Sequence, residues 1–199
     1  GSHMVDELRD QGYIVRAFDD LSGGRLANLE VALAGGKVTL HEQDMCALEP
    51  DSAVFTEAEL VLHFAGIGDI VPSVERPVDY VNTNVMGTVR VLEASRAAGV
   101  RRLVYAASSS CYGAKPPTPT SEKAPIDTEY PYALSKYLGE QAALHWMRVY
   151  GLSVNSIRIF NAYGTRSRTS GAYGAVFGVF LKQKLANAPF TVVGDGTQG

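Results

Sequence analysis

The chain has 199 residues, 46% of them hydrophobic and 20% charged, enough to bury one sizeable core and most simply one domain or a domain and a fragment. A formal net charge of −3 and a pI near 5.8 exclude a basic field for nucleic acid or an acidic membrane surface, so a small anion has to be held by local groups. Two cysteines, Cys46 and Cys111, make no disulfide framework, and these residues carry neither a secretory signal nor an apolar run of transmembrane length; a cytoplasmic protein with reduced thiols is expected.

The opening Gly1-Ser2-His3-Met4 has two readings, a remnant of tag cleavage or the end of a glycine turn that leads into a helix. Val5 to Gly12 reads as a helix stopped by glycine in either case. Tyr13 to Phe18 is an apolar strand running into Asp19-Asp20, and Asp19 stands 18 positions after Gly1. That is close to the roughly 20 residues separating a dinucleotide-binding glycine turn from the acid that holds the adenosine ribose. The plainer alternative is a solvated acidic turn before Ser22-Gly23-Gly24. Lys37 to Leu40 is a short strand followed by Asp44-Met45, which on its own is an acid in a loop.

Leu60 to Gly66 is a continuous apolar run of the kind found in parallel sheets covered on both faces, and its small final residues let a ligand approach the backbone. His63 within it reads as a satisfied core residue without a catalytic role. Residues 79 to 98 form a predicted helix with Val81, Val85, Val89 and Leu92 at near-helical spacing, Asn84 on its length and Gly99 as its stop.

Leu103 to Gly113 begins as a buried strand and ends in Ser108-Ser109-Ser110-Cys111-Tyr112-Gly113, where strand gives way to loop. Residues 114 to 129 carry Pro116, Pro117, Pro119 and Pro125 and are too irregular for a strand or helix; this loop is expected to run over the site. Pro131 then starts a helix that runs to Gly151. Tyr132 and Lys136 are four apart and share one of its faces, where an ammonium favours the phenolate. With a hydroxyl such as Ser108 at a neighbouring strand end, they form one set able to move a proton on and off an alcohol. Tyr-x-x-x-Lys alone equally fits two surface residues on an amphipathic helix. Val154 to Phe160 is a further apolar strand, with Asn161 at its carboxyl end, where ligands bind in open α/β sheets. From Thr165 the composition shifts: Arg166, Arg168, Ser170, Gly171 and Tyr173 precede an apolar segment from Val176 to Leu185 and then Phe190 to Gln198.

Taken in order, the strand, Ser-Ser-Ser-x-Tyr-Gly, the proline-rich loop, Tyr132-x-x-x-Lys136 and Arg158-Ile159-Phe160-Asn161-Ala162-Tyr163-Gly164 resemble the extended short-chain dehydrogenase/reductase superfamily, and within it the NAD-dependent epimerase/dehydratase family of nucleotide-sugar enzymes. The resemblance runs from the first residues to the last. It implies an α/β fold, a doubly wound, Rossmann-like parallel sheet over residues 1 to 164, and the start of a small sugar-nucleotide domain over 165 to 199. The family's central first strand and preceding glycines are absent here, so a gap in the sheet is expected, and the natural protein is expected to extend upstream.

The same resemblance implies NAD as cofactor. The ribose acid favours NAD over NADP, because a carboxylate repels a 2′-phosphate and no arginine directly follows. Cofactor-binding residues are then Asp19, Asp20, Leu21, Ser22, Gly23, Asp44, Met45, Phe64, Ala65, Gly66, Asn84, Tyr132, Lys136 and Phe160. Catalytic residues are Ser108, Tyr132 and Lys136, and substrate-binding residues are Ser108, Ser110, Tyr132, Asn161 and Arg166, with Arg168 as a second diphosphate cation. No metal is implied. The reaction is C4 epimerisation of a UDP-sugar through a transient ketone. A 4,6-dehydratase or decarboxylase is less well matched, because Ser109 and Ser110 stand where those relatives carry acidic residues. A non-catalytic NAD-binding fragment is the remaining alternative. Cys111 is one position away from the cysteine of some epimerase-reductases and reads as a packing thiol. A homodimer through helices 79–98 and 131–150 is implied, with no nucleic-acid or membrane partner.

Overall fold

The computed structural model describes residues 1–166 and 176–192, and the chain divides into two units, Gly1–Phe160 and Asn161–Gly199. In the first unit, helix α1 (Ser2–Asp10) is closed at its C-terminus by Gly12 at φ 93°, with Tyr13 N–H donating to Leu8 O at 3.0 Å. That closure claims Tyr13 for the turn, so strand β1 begins at Val15 and not at Tyr13 as the apolar pattern suggested. Strand β1 (Val15–Asp19) pairs in parallel with β2 (Val38–Glu42) across the short helix α2 (Glu30–Leu33).

Strands β3 (Leu60–His63), β4 (Arg102–Ser108) and β5 (Val154–Ile159) form a second parallel sheet in the order β3-β4-β5. The strands therefore form two pieces, β1-β2 and β3-β4-β5, and the gap expected in the sheet lies between them. Strand β4 lies in the middle of its piece, and Leu103, Tyr105 and Ala107, alternate residues on one face, are all buried.

The helix predicted over 79–98 starts earlier and is not continuous. After α3 (Ile70–Glu75), Pro77 at the first turn opens α4 (Pro77–Val81), a π-helical turn spans Asn82–Gly87, and α5 (Thr88–Ala97) completes the rod. The stripe read from periodicity is not the buried one: Val81 is exposed and Val85 and Val89 are half-buried, and the core face runs through Tyr80, Asn84, Thr88, Val91 and Leu92. Gly87 lies in the π-helical turn because a Cβ there would stand 2.9 Å from Met45 Cγ. Helix α6 (Pro131–Tyr150) ends at Gly151 in the left-handed region and packs its small residues Ala133, Gly139 and Ala143 inward.

Gly139 is where α6 meets both α5's lead-in turn and β4. A Cβ there would lie 2.7 Å from Asn84 O and 3.1 Å from Tyr105 Cζ, neither of which is a flexible tip. Gly139→Ala is expected to destabilise the fold by about 2 kcal/mol despite its better helix propensity, read as a lower urea midpoint at constant m.

His63 is buried with its Nε2 2.9 Å from Thr88 Oγ1. Thr88 spends its hydroxyl proton on Asn84 O at 2.8 Å, so His63 is the donor, which assigns the neutral ring its Nε2–H tautomer. Burial, with the nearby Lys136 charge, pushes the His63 pKa down from 6.5 to about 3. The unfolded chain thus binds the extra proton first as pH falls. Stability from this group is full above pH 6.5 and is lost downward toward pH 3, at up to about 1.4 kcal/mol per pH unit. Urea unfolding between pH 4 and 7 is expected to show this slope, and His63→Gln, which keeps the donor to Thr88 without titrating, is expected to flatten it.

In the second unit, helix α7 (Val176–Leu185) is followed by a turn at Asn187, and Gln183 pairs with Thr191 through its amide. Arg168, Ser170, Gly171, Tyr173 and residues 193–199 lie outside the described residues. Among the described residues no helix is long and apolar enough to cross a membrane.

Candidate active site

Ser108 is the last residue of β4, and its side chain caps the following 3-10 turn (Ser109–Tyr112) by accepting from Ser110 N–H at 3.2 Å. Its Oγ also lies 2.7 Å from Ser110 Oγ and accepts from the Tyr132 hydroxyl at 3.4 Å. Pro131, fixed at the first helical position, sets where Tyr132 leaves the helix. The three hydroxyls of Ser108, Ser110 and Tyr132 therefore converge, although they come from two elements 24 residues apart.

Lys136, one turn further on, is buried, with its Nζ 4.6 Å from the centre of the Tyr105 ring. Tyr105 in turn donates its hydroxyl to Lys136 O at 3.3 Å. Burial pushes the Lys136 pKa down from 10.5 to about 8, against the raising effect of Glu140 one turn along the helix. The ammonium is thus held in a dry place by a ring face and a carboxylate.

The backbone after β3 forms the neighbouring wall. Asn84, buried in the π turn, accepts from Ile67 N–H at 2.9 Å and donates to Ile67 O at 3.0 Å and to Ser135 Oγ at 2.9 Å. Ser135 donates onward to Tyr132 O at 2.9 Å. Tyr80 donates its hydroxyl to Gly68 O, and its ring meets Tyr132 edge-on at 6.3 Å. Gly66, at φ 154°, has no room for a side chain: a Cβ would stand 2.8 Å from Asn84 Oδ1 and 3.8 Å from Lys136 Nζ. Phe64, Ala65 and Gly66 thus run past the lysine with Asn84 as their clamp.

At the carboxyl end of β1, Asp19 accepts from Leu21 N–H at 2.8 Å, and Asp20 accepts from Ser22 N–H at 2.9 Å and from its hydroxyl at 2.6 Å. Leu21 takes φ 56° to make this double turn, which leads on through Gly23 to Gly24, where a Cβ would come 2.8 Å from Asp19 Oδ1. After β2, Asp44 caps a 3-10 turn (Met45–Ala47) by accepting from Cys46 N–H at 2.8 Å, while the Met45 side chain goes into the core. Phe160, following β5, stacks on Tyr112 at 6.3 Å. Asn161 and Arg166 belong to the second unit. The buried Cys111 has its thiol pKa raised by burial.

Tyr80, Tyr105, Ser135, Glu140 and Arg158 were not singled out from sequence. Of these only Glu140 carried a signal, its four-residue step from Lys136. Among the described residues no three or more His, Cys, Asp or Glu side chains are gathered for a metal ion.

Comparison with known proteins gives the same picture from outside. The UDP-glucose 4-epimerase of Mycolicibacterium smegmatis is 35% identical over 199 residues, covering 99% of this chain and 63% of that protein. A UDP-N-acetylglucosamine 4-epimerase from Methanobrevibacter ruminantium, solved with UDP-N-acetylmuramic acid, superposes with a TM-score of 0.93 at 27% identity, over 100% of this chain and 63% of its own. A dTDP-glucose 4,6-dehydratase from Streptomyces venezuelae, solved with NAD and TYD, gives 0.90 at 26%, over 100% and 62%. The chain thus spans somewhat under two thirds of the relatives it matches. With residues 1–199 matching the family model throughout, the chain belongs to the NAD dependent epimerase/dehydratase family.

Proposed function

We propose that the protein carrying this chain is an NAD-dependent UDP-sugar 4-epimerase. The observation that carries this reading is the convergence of Tyr132 and Ser108 hydroxyls, 3.4 Å apart, with Lys136 buried one helical turn after Tyr132 and only hydroxyls at Ser109 and Ser110. Simple oxidation and return of a sugar hydroxyl needs one base and one orienting donor, and no further acid or base beside them.

The residues present suit the ribose ends of a dinucleotide. The Asp19-Asp20 turn offers carboxylates to a ribose diol, and the bare Gly66 backbone leaves room next to Lys136 for the other ribose. Leu21, Ser22 and Gly23 continue the first turn, and Asp44 stands toward the adenine, while the Met45 side chain is committed to the core. Phe64, Ala65 and Phe160 complete the lining, and Asn84, its amide taken up by Ile67 and Ser135, supports it from behind. NAD, when bound, supplies reversible hydride acceptance at the sugar carbon.

Tyr132, as the phenolate that Lys136 stabilises, takes the proton from the sugar hydroxyl and becomes the neutral phenol. Ser108 hydrogen-bonds the same oxygen and keeps it aimed at Tyr132, with Ser110 holding Ser108 in turn. When the ketone presents its other face, Tyr132 returns the proton. For Asn161 and Arg166, which belong to the second unit, the resemblance alone implies a substrate role.

The dehydratase reading has the Streptomyces venezuelae likeness in its favour, and the hydroxyls at Ser109 and Ser110 weigh against it, since expulsion of a sugar hydroxyl requires an added acid and base. A second copy of the chain is the proposed partner, over the outer face of α4 and α6 where Val78, Val81, Leu134 and Leu138 are exposed, and the proposed location is cytoplasmic. Incubation of the full-length protein with UDP-galactose is expected to yield UDP-glucose with no net reduction of cofactor. Release of a 4-keto-6-deoxy sugar instead would support the dehydratase, and neither product would overturn both.

A further inference from the structure

Arg158 is the one cation of β5 that turns inward, and it touches every element that carries the proposed chemistry. Its Nε is shared between Glu140 Oε1 at 3.1 Å and Oε2 at 3.0 Å, and its Nη1 donates to Tyr112 Oη at 2.7 Å and to Glu122 O at 3.2 Å. Glu140 is buried and takes a further bond from Ser156 Oγ at 2.8 Å. The guanidinium also lies 5.0 Å from the centre of the Tyr112 ring, whose other neighbour is Phe160.

The three arms have distinct addresses. Glu140 is on the same stripe of α6 as Tyr132 and Lys136, at steps of four residues. Tyr112 ends the 3-10 turn that Ser108 caps. Glu122 lies in the proline-rich loop, which is also fastened to that turn by Asp127 N–H donating to Cys111 O at 2.8 Å. Arg158 itself sits opposite Ala107 in the β4-β5 register, one residue before Ser108. A buried ion pair is a weak source of net stability, since desolvation offsets its Coulomb gain, so this one calls for another reason.

We propose that Arg158 is a positioning residue that fixes the separation of Ser108 and Tyr132 by clamping the serine turn and the tyrosine helix to one guanidinium. The inference rests on the epimerase reading above for its effect on turnover, while the clamp itself is a property of the fold. A planar fork is needed, because a lysine ammonium offers a point charge and cannot reach Glu140, Tyr112 and Glu122 together.

The test uses the full-length protein with Arg158→Lys, Tyr112→Phe, Ser108→Ala and the double variant Tyr112→Phe/Ser108→Ala. Arg158→Lys is expected to lower kcat about thirtyfold with KM within threefold, and Tyr112→Phe about tenfold, since small misplacements of reacting groups are costly. In the Ser108→Ala background, Tyr112→Phe is expected to change kcat less than twofold, because the group it positions is gone. Amide hydrogen exchange of residues 109–113 is expected to quicken about tenfold in both Arg158→Lys and Tyr112→Phe, a readout independent of turnover. Wild-type kcat in Arg158→Lys, a full Tyr112→Phe effect without Ser108, or unchanged exchange would each overturn the proposal. If Arg158→Lys fails to fold, Tyr112→Phe decides. A wild-type protein without epimerase activity but with the exchange change would remove the epimerase reading and keep the clamp.

Discussion

Tyr132→Phe is expected to lower kcat for UDP-sugar epimerisation by about 10³-fold or more, with KM changed by less than about threefold. The substitution keeps the ring, so its edge contact with Tyr80 at 6.3 Å and the start of α6 are undisturbed. It removes the hydroxyl that points to Ser108 Oγ, the one phenol of the converging set, set one helical turn before Lys136. Ser108 remains, but an aliphatic hydroxyl is too weak an acid to stand ionised and accept the sugar's proton. Steady-state rates and circular dichroism on the same preparation separate lost chemistry from lost fold. A residual rate within tenfold of wild type would assign the proton to another group.

Lys136→Met is expected to abolish turnover to a similar extent while making the apo fold more stable by about 2 kcal/mol. Burial holds the Lys136 pKa near 8 against 10.5 in the unfolded chain. Between those values the unfolded chain binds more protons than the folded one, so stability rises as pH increases from about 8 to 10.5 and is lower below that window. At neutral pH the full cost of burying the ammonium is therefore present, offset in part by the Tyr105 ring and Glu140. Methionine fills the same space without that cost, and Glu140 stays paired with Arg158. The check is a urea midpoint that is higher for Lys136→Met at pH 7 and that lacks the wild-type rise through pH 8 to 10. A lower midpoint at pH 7 would mean that the ring and carboxylate outweigh burial.

The parts of the molecule that repeat along the chain were legible before any coordinates. Pro131 and Gly151 bounded α6, a four-residue step aligned Tyr132 with Lys136, and the change from apolar run to hydroxyls put Ser108 at a strand end. A gap in the sheet was expected, and the sheet is in two pieces. What was not legible depends on pairs distant in sequence. Asn84 reaches Ser135 across 51 residues, Tyr112 meets Arg158 across 46, and neither partner's type announces the other. Local hydrogen bonding also overrode pattern at Tyr13, where closing α1 outweighed strand propensity. Pro77 marked the true start of its helix and was readable by the same rule that located Pro131.

The π-helical turn at Asn82–Gly87 makes this stretch sensitive to its own length. One residue is about 100° of helical rotation. Deleting any single position there would rewind the rod to ordinary geometry, swing Asn84 off Ile67, and carry Val91, Leu92 and Ala94 away from the core they fill. Substitutions along this rod can be absorbed one side chain at a time, whereas gaps cannot, so homologous chains are expected to vary here in letters and not in spacing.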